Sequence, residues 1–285
     1  SRRARGRWPR CDLPDGPLGP EGQFPLDALP KDIPRQPVDD HSQKSHGDKR
    51  QGQDGPKNLG AETGRRNPWE PAEQEASHVR LPIGAAGPPP GGTPLHPAPL
   101  AAAELGLAEV WVKDEGRNPS ASLKDRASAV VVARARERGE LVIAGASTGN
   151  AAASLACAMA TLAPKPVIFV PESAPRAKLA QLLVYGAKVV AVRGTYDQAF
   201  DLCVEACREY GWYNRNTGYN PFTREGKKTC AFEIAEQLAW RIPDLLFVSV
   251  GDGNILSGLW KGFSELKAVG LTDRLPRMVA VQAQG

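Results

Sequence analysis

The chain has 285 residues, with 36 lysines and arginines against 32 aspartates and glutamates and 41% apolar side chains. That balance leaves little net charge to drive binding to nucleic acid or a membrane surface, and no run of about 18 apolar residues exists to cross a bilayer. The length suits one large domain or two smaller ones.

Residues 1–80 hold 11 Pro and 9 Gly, with 14 basic and 13 acidic side chains and no helical or strand period among the apolar ones. Such a segment cannot readily bury a core and is expected to be irregular or disordered. Its arginine-rich opening (Arg2, Arg3, Arg5, Arg7, Arg10) reads as a solvated tail rather than a nucleic-acid arm or transit peptide. The first residue is Ser, so a missing start is expected.

From about residue 90, strands and helices alternate. Strands are predicted over 109–114, 141–146, 166–171, 188–193, 245–250 and 278–282. Helices are predicted over 124–138, 150–162, 175–185, 196–210, 225–240 and 256–268. Val167-Ile168-Phe169-Val170 and Val189-Val190-Ala191-Val192 are continuous apolar runs. Strands covered on both faces read this way, which predicts parallel sheets flanked by helices, with ligands bound beyond the strand C-termini.

Three turns carry candidate chemistry. Asn118-Pro119-Ser120-Ala121-Ser122-Leu123-Lys124-Asp125-Arg126 places Lys124 in the first turn of a helix, after two potential caps. The helix dipole and burial both disfavour a protonated amine there, which favours the neutral form that attacks an aldehyde, as a Schiff base with pyridoxal phosphate requires. The competing reading is a solvated helix lysine. Ala146-Ser147-Thr148-Gly149-Asn150 follows a strand and aims several N–H groups at one spot suited to a carboxylate, with Asn150 able to meet a phenolic oxygen; ordinary N-capping is the plainer account. Gly251-Asp252-Gly253-Asn254 also joins a strand to a helix and suits a phosphate, though it matches neither the P-loop nor the dinucleotide fingerprint.

Together NPSASLKDR, ASTGNAAAS, YNPFTREGKKT and VGDGNI, in that order, resemble the fold type II pyridoxal-phosphate enzymes, and within them threonine synthase and its close homologues, from Gly92-Thr93-Pro94-Leu95 to the end. The resemblance implies a tryptophan synthase β-like α/β fold of two parallel-sheet subdomains flanked by helices. It makes Lys124 the Schiff-base lysine, Asn150 the partner of the cofactor's ring hydroxyl, and Gly251, Asp252, Gly253 and Asn254 the phosphate loop. Ser147, Thr148 and Gly149 would face the substrate carboxylate. The chain departs from the family in a glycine loop one residue shorter than a common form and in an arginine of the Asn220–Gly226 segment shifted by one position. The residue that meets the pyridine nitrogen would lie past Gly285, so a C-terminally truncated large domain is expected.

By the same resemblance, residues 144–225 form a small domain, and 81–143 with 226–285 form a large domain that binds pyridoxal 5'-phosphate. The implied reaction is the conversion of O-phosphohomoserine and water to threonine and phosphate. Threonine dehydratase or a cysteine-synthase-like β-replacement are the sibling alternatives, and a truncated non-catalytic fold type II protein is another. A cytoplasmic homodimer acting on a small amino acid is expected. Cys11, Cys157, Cys203, Cys207 and Cys230 read as reduced thiols, and no histidine stands near the Cys203–Cys207 pair to build a metal site.

Overall fold

The computed structural model describes residues 10–11, 89–162 and 165–284. The expected irregular segment 1–80 thus lies outside the described residues, apart from Arg10 and Cys11. The backbone of these two forms strand β1, parallel to Ala191 and Val192.

The apolar runs form the principal sheet. β4 (Ile143–Ala146), β5 (Val167–Pro171) and β6 (Lys188–Val192) join β1 and β7 (Tyr213–Asn214) in the order β1-β6-β5-β4-β7, every pair parallel. Side chains alternate between faces, and both faces are covered. Ala144, Ala146, Val167, Phe169, Val190 and Val192 pack on α5 (Tyr196–Glu209) through Leu202, Cys203 and Ala206. Ile143, Ile168, Val170 and Val189 pack on α2 (Lys124–Glu137), α3 (Asn150–Ala158) and α4 (Arg176–Val184). Two covered faces account for apolar runs that lack polar alternation.

A second core lies among α6 (Phe222–Gln237), α7 (Asn254–Ala268) and the parallel pair β8 (Leu245–Ser249) and β9 (Arg277–Val281). Helix α6 packs against both α2 and α7. Glycines set those crossings: a Cβ on Gly226 would stand 2.1 Å from the carbonyl oxygen of Arg126, and one on Gly262 would stand 2.6 Å from that of Lys228.

The structure differs from expectation before α2. The predicted strand 109–114 shortens to β3 (Trp111–Lys113) and pairs antiparallel with β2 (Leu95–Pro97), outside the parallel sheet, with Trp111 and Val112 exposed. The chain then makes a 3-10 turn over Glu115–Arg117, begun where Asp114 accepts a hydrogen bond from the Gly116 N–H at 3.1 Å. Lys124 is therefore positioned by a loop rather than by a strand end. Helix α1 (Pro99–Leu105) was not predicted; Pro99 starts it and Gly106, at φ 65°, ends it. Helix α6 begins three residues before its predicted start because Asn220 Oδ1 accepts from the Phe222 N–H at 3.0 Å and caps the turn after Pro221.

Candidate active site

Lys124 is the first residue of α2, half-buried, and its backbone N–H donates to Ser122 Oγ at 3.1 Å. The N-cap position falls on Leu123, which makes no side-chain cap bond, so neither serine is the helix cap; the Ser120 hydroxyl and N–H instead both bond the Asp125 carboxylate, at 2.6 and 2.8 Å. Burial lowers the Lys124 ammonium below the ordinary lysine range; Arg215 pushes the same way and Asp252 opposes.

The segment that presents Lys124 is clamped by ion pairs. Arg126, 3% exposed, meets Glu115 through Nε at 2.7 Å and Glu233 of α6 through Nη1 at 2.5 Å and Nη2 at 2.7 Å. Lys113 reaches the same Glu233 at 2.7 Å and the Thr93 carbonyl at 2.6 Å. Although burial opposes it, hydrogen bonds and charge from Arg126 and Lys113 bring Glu233 down to about 2. The clamp ties the Gly92–Thr93 turn, β3, α2 and α6 into one frame.

The cation that acts on Lys124 is Arg215, which follows β7. Its backbone N–H joins the sheet through the Ala144 carbonyl at 2.8 Å. Its guanidinium donates to Thr217 Oγ1 at 3.1 Å and to Ser128 Oγ at 3.3 Å, one helical turn beyond Lys124. Its buried Nε has no hydrogen-bond partner. Burial lowers Arg215 to about 10, against the pull of Asp252. Thr217 passes the connection on, since its carbonyl accepts from Asn254 Nδ2 at 3.5 Å, and Asn254 Oδ1 in turn accepts from Lys227 Nζ at 2.5 Å.

Asn254 opens α7 and closes the Gly251–Asn254 turn. Gly253 takes φ 73°, a conformation that favours glycine, and Asp252 Oδ1 accepts from the Asn254 N–H at 3.0 Å. Asp252 of this turn acts on the charge of Lys124, far from it in sequence. Ser147, Thr148 and Gly149 are half-buried after β4, with Ser147 Oγ accepting from the Gly149 N–H at 3.1 Å, and Asn150 begins α3 with its side chain exposed. This turn is joined to the cluster at its base: Asn216 Oδ1 accepts from the Ala146 N–H at 2.8 Å, and Tyr196 donates to the Ala146 carbonyl at 3.3 Å while facing Asp252 and Arg215.

Arg215 and Lys227 escaped the reading of the sequence. Both sit in the stretch from β7 to α6 that carries the YNPFTREGKKT motif, but nothing in their spacing shows that they turn inward. The result is a cluster of Lys124, Arg215 and Lys227, partly or fully buried, whose charges are opposed by the exposed carboxylate of Asp252. An orphaned guanidinium nitrogen and surplus buried cations suit an anionic ligand beside a reactive amine.

A family model described as pyridoxal-phosphate dependent enzyme matches residues 87–285. The chain belongs to this family. It is 45% identical over 196 residues to a threonine synthase of Methanocaldococcus jannaschii, covering 68% of this chain and 48% of that protein. It is 35% identical over 231 residues to a threonine synthase of Mycobacterium leprae, covering 79% and 63%. The chain therefore spans between about half and two thirds of these relatives. Among solved structures, the processed threonine deaminase isoform 2 of Solanum lycopersicum matches with TM-score 0.58 at 24% identity, covering 67% of this chain and 50% of that one. Apo diaminopropionate ammonia lyase of Escherichia coli matches with TM-score 0.60 at 20% identity, covering 70% and 61%. The fold is that of the fold type II enzymes. No helix among the described residues is long and apolar enough to cross a membrane.

Proposed function

We propose that this chain is the cofactor-holding part of a threonine synthase, a pyridoxal-phosphate-dependent lyase that converts O-phosphohomoserine and water to threonine and phosphate. The observation that supports it most is a half-buried lysine, lowered in basicity at the start of α2, beside a buried arginine whose Nε lacks a partner. Those residues fit the cofactor: Lys124 would bind its aldehyde carbon, Asn150 its ring hydroxyl, and Gly251, Asp252, Gly253 and Asn254 its phosphate. Ser147, Thr148 and Gly149 would take the substrate carboxylate at the start of α3. The bound cofactor supplies an electron sink for negative charge at the substrate Cα. The Lys124 amine would be the group that moves the proton at the substrate Cα and then at Cβ, a task that favours an amine of lowered basicity near neutral pH. The likeness of the two relatives named threonine synthase supports the choice of reaction.

We assign residues 144–225, which hold most of β4, all of β5 to β7 and helices α3 to α5, to a small domain, and 81–143 with 226–285 to a large one. The separate β8–β9 pair supports that division, and closure of one part on the other would exclude water. Cys157, Cys203, Cys207 and Cys230 are free thiols, which supports a cytoplasmic location; a homodimer rests on the family resemblance.

The reaction is tested by following phosphate release from O-phosphohomoserine and 2-oxobutyrate release from threonine with the same preparation. Phosphate release that disappears in Lys124→Ala is expected. Production of 2-oxobutyrate alone would make the protein a dehydratase, and binding of cofactor without turnover of either substrate would make it non-catalytic.

A further inference from the structure

Lys227 lies within α6 at 1% exposure, where a charged ammonium is costly unless its charge is met. Its nitrogen donates to Asn254 Oδ1, on the residue that ends the Gly251–Asn254 turn and begins α7. The charged groups facing it are Arg215 from the segment after β7, Lys124 from α2, Arg224 from α6 itself and Asp252 from the turn. Arg215, Lys124 and Arg224 work against a charge on this buried amine and Asp252 for it, so cations outweigh the carboxylate among the groups that act on it most. A phosphate monoester is close to a dianion above neutral pH and would supply it.

We propose that Lys227 is the side-chain cation for the cofactor's phosphate at the Gly251–Asn254 turn, and that it takes up a proton from solvent as that phosphate binds. This rests on the reading that Lys124 and the turn hold the cofactor. In the free chain, burial and the neighbouring cations bring the Lys227 ammonium down to about 7. Around pH 8 it is then mostly neutral, donating one N–H to Asn254 and keeping the site from holding an unmatched charge. An arriving dianion reverses the local field and restores the ammonium, which makes a charge-assisted bond to the phosphate. The linkage has a definite sign. Because binding takes up a proton, affinity for the phosphorylated cofactor falls as pH rises above 7.

Calorimetry at pH 8 in two buffers of different ionisation enthalpy counts the protons, with pyridoxal phosphate, pyridoxal and inorganic phosphate as ligands. The wild type is expected to take up about one proton more with pyridoxal phosphate than with pyridoxal, and inorganic phosphate to show the same uptake. Lys227→Gln, which keeps an N–H for Asn254, is expected to abolish that excess and weaken pyridoxal phosphate about ten- to a hundredfold, leaving pyridoxal unchanged. Equal proton counts for the two aldehydes, or a Lys227→Gln protein that binds pyridoxal phosphate within twofold of wild type, would overturn the proposal. So would a variant that keeps cofactor affinity and raises only the KM for the phosphorylated substrate, which would put Lys227 at the substrate instead. Failure of the underlying reading looks different: the visible band of lysine-bound cofactor would be missing in the wild type or would persist in Lys124→Ala. Should Lys227→Gln fail to fold, the wild-type proton count and the fall in the pyridoxal phosphate to pyridoxal affinity ratio between pH 7 and 9 still decide the matter.

Discussion

Two lysines in one charge cluster have lowered basicity, and their surroundings separate their roles. Lys227 is the more strongly shifted, to about 7, but it is buried and its nitrogen is taken up by Asn254. Lys124 is half-buried, so a ligand can reach it, and no contact like that with Asn254 needs breaking. Low basicity alone would select Lys227; access selects Lys124. Arg126 and Glu233 act differently, as a frame. Removing one member of a buried pair leaves a charge unmatched, so Glu233→Gln should cost about 3 kcal/mol in denaturant unfolding, with Glu115 limiting the loss. The pH dependence follows from the direction of the shift. Glu233 is held at about 2 in the folded chain against an ordinary 4.5, so its stabilisation is complete above pH 4.5 and is lost as pH falls toward 2. The variant should therefore show a shallower loss of stability than wild type across that acid range.

Helix α6 is the element on which the site depends, since it carries Glu233 toward the clamp, Lys227 toward α7, and Gly226 against α2. A methyl group at Gly226 would overlap the Arg126 backbone, so Gly226→Ala should destabilise the fold by about 2–3 kcal/mol and displace the turn bearing Lys124. Gly218→Ala, where a Cβ meets open space, should change stability by less than about 0.5 kcal/mol. The elements themselves were largely legible in the sequence. Val167–Val170 and Val189–Val192 announced central parallel strands because burial on both faces forbids polar alternation. The antiparallel β2–β3 pair was not legible, because a short alternating run looks the same in either partner arrangement. Ser147 to Asn150 and Gly251 to Asn254 could be picked out because strand–turn–helix junctions have local signals, and Lys124 because Gly116, Pro119 and two serines break the chain just before a helix start, although a loop and not a strand leads into it. Arg215 and Lys227 could not, because a long basic side chain mid-segment reads as solvated until tertiary contacts turn it inward.

Among the described residues, the five-stranded sheet with its helices and the α6–α7 core with the β8–β9 pair both contribute to the cationic cluster of Lys124, Arg215 and Lys227, a layout in which a ligand would join parts far apart in sequence. Binding to the folded state alone must then raise its stability: at a hundredfold excess over Kd, pyridoxal phosphate should add about 2.7 kcal/mol to unfolding, read as a higher Tm that rises with ligand concentration. Pyridoxal at the same concentration should add less, since it brings no phosphate to the Gly251–Asn254 turn. The most direct test is chemical. The protein is incubated with pyridoxal phosphate, reduced with borohydride and digested, and the modified peptide is sequenced by mass spectrometry. The label should fall on Lys124, in the peptide that follows Asn118-Pro119-Ser120-Ala121-Ser122, and vanish from that peptide in Lys124→Ala; a label on Lys227, or an unchanged yield of label in Lys124→Ala, would contradict the account.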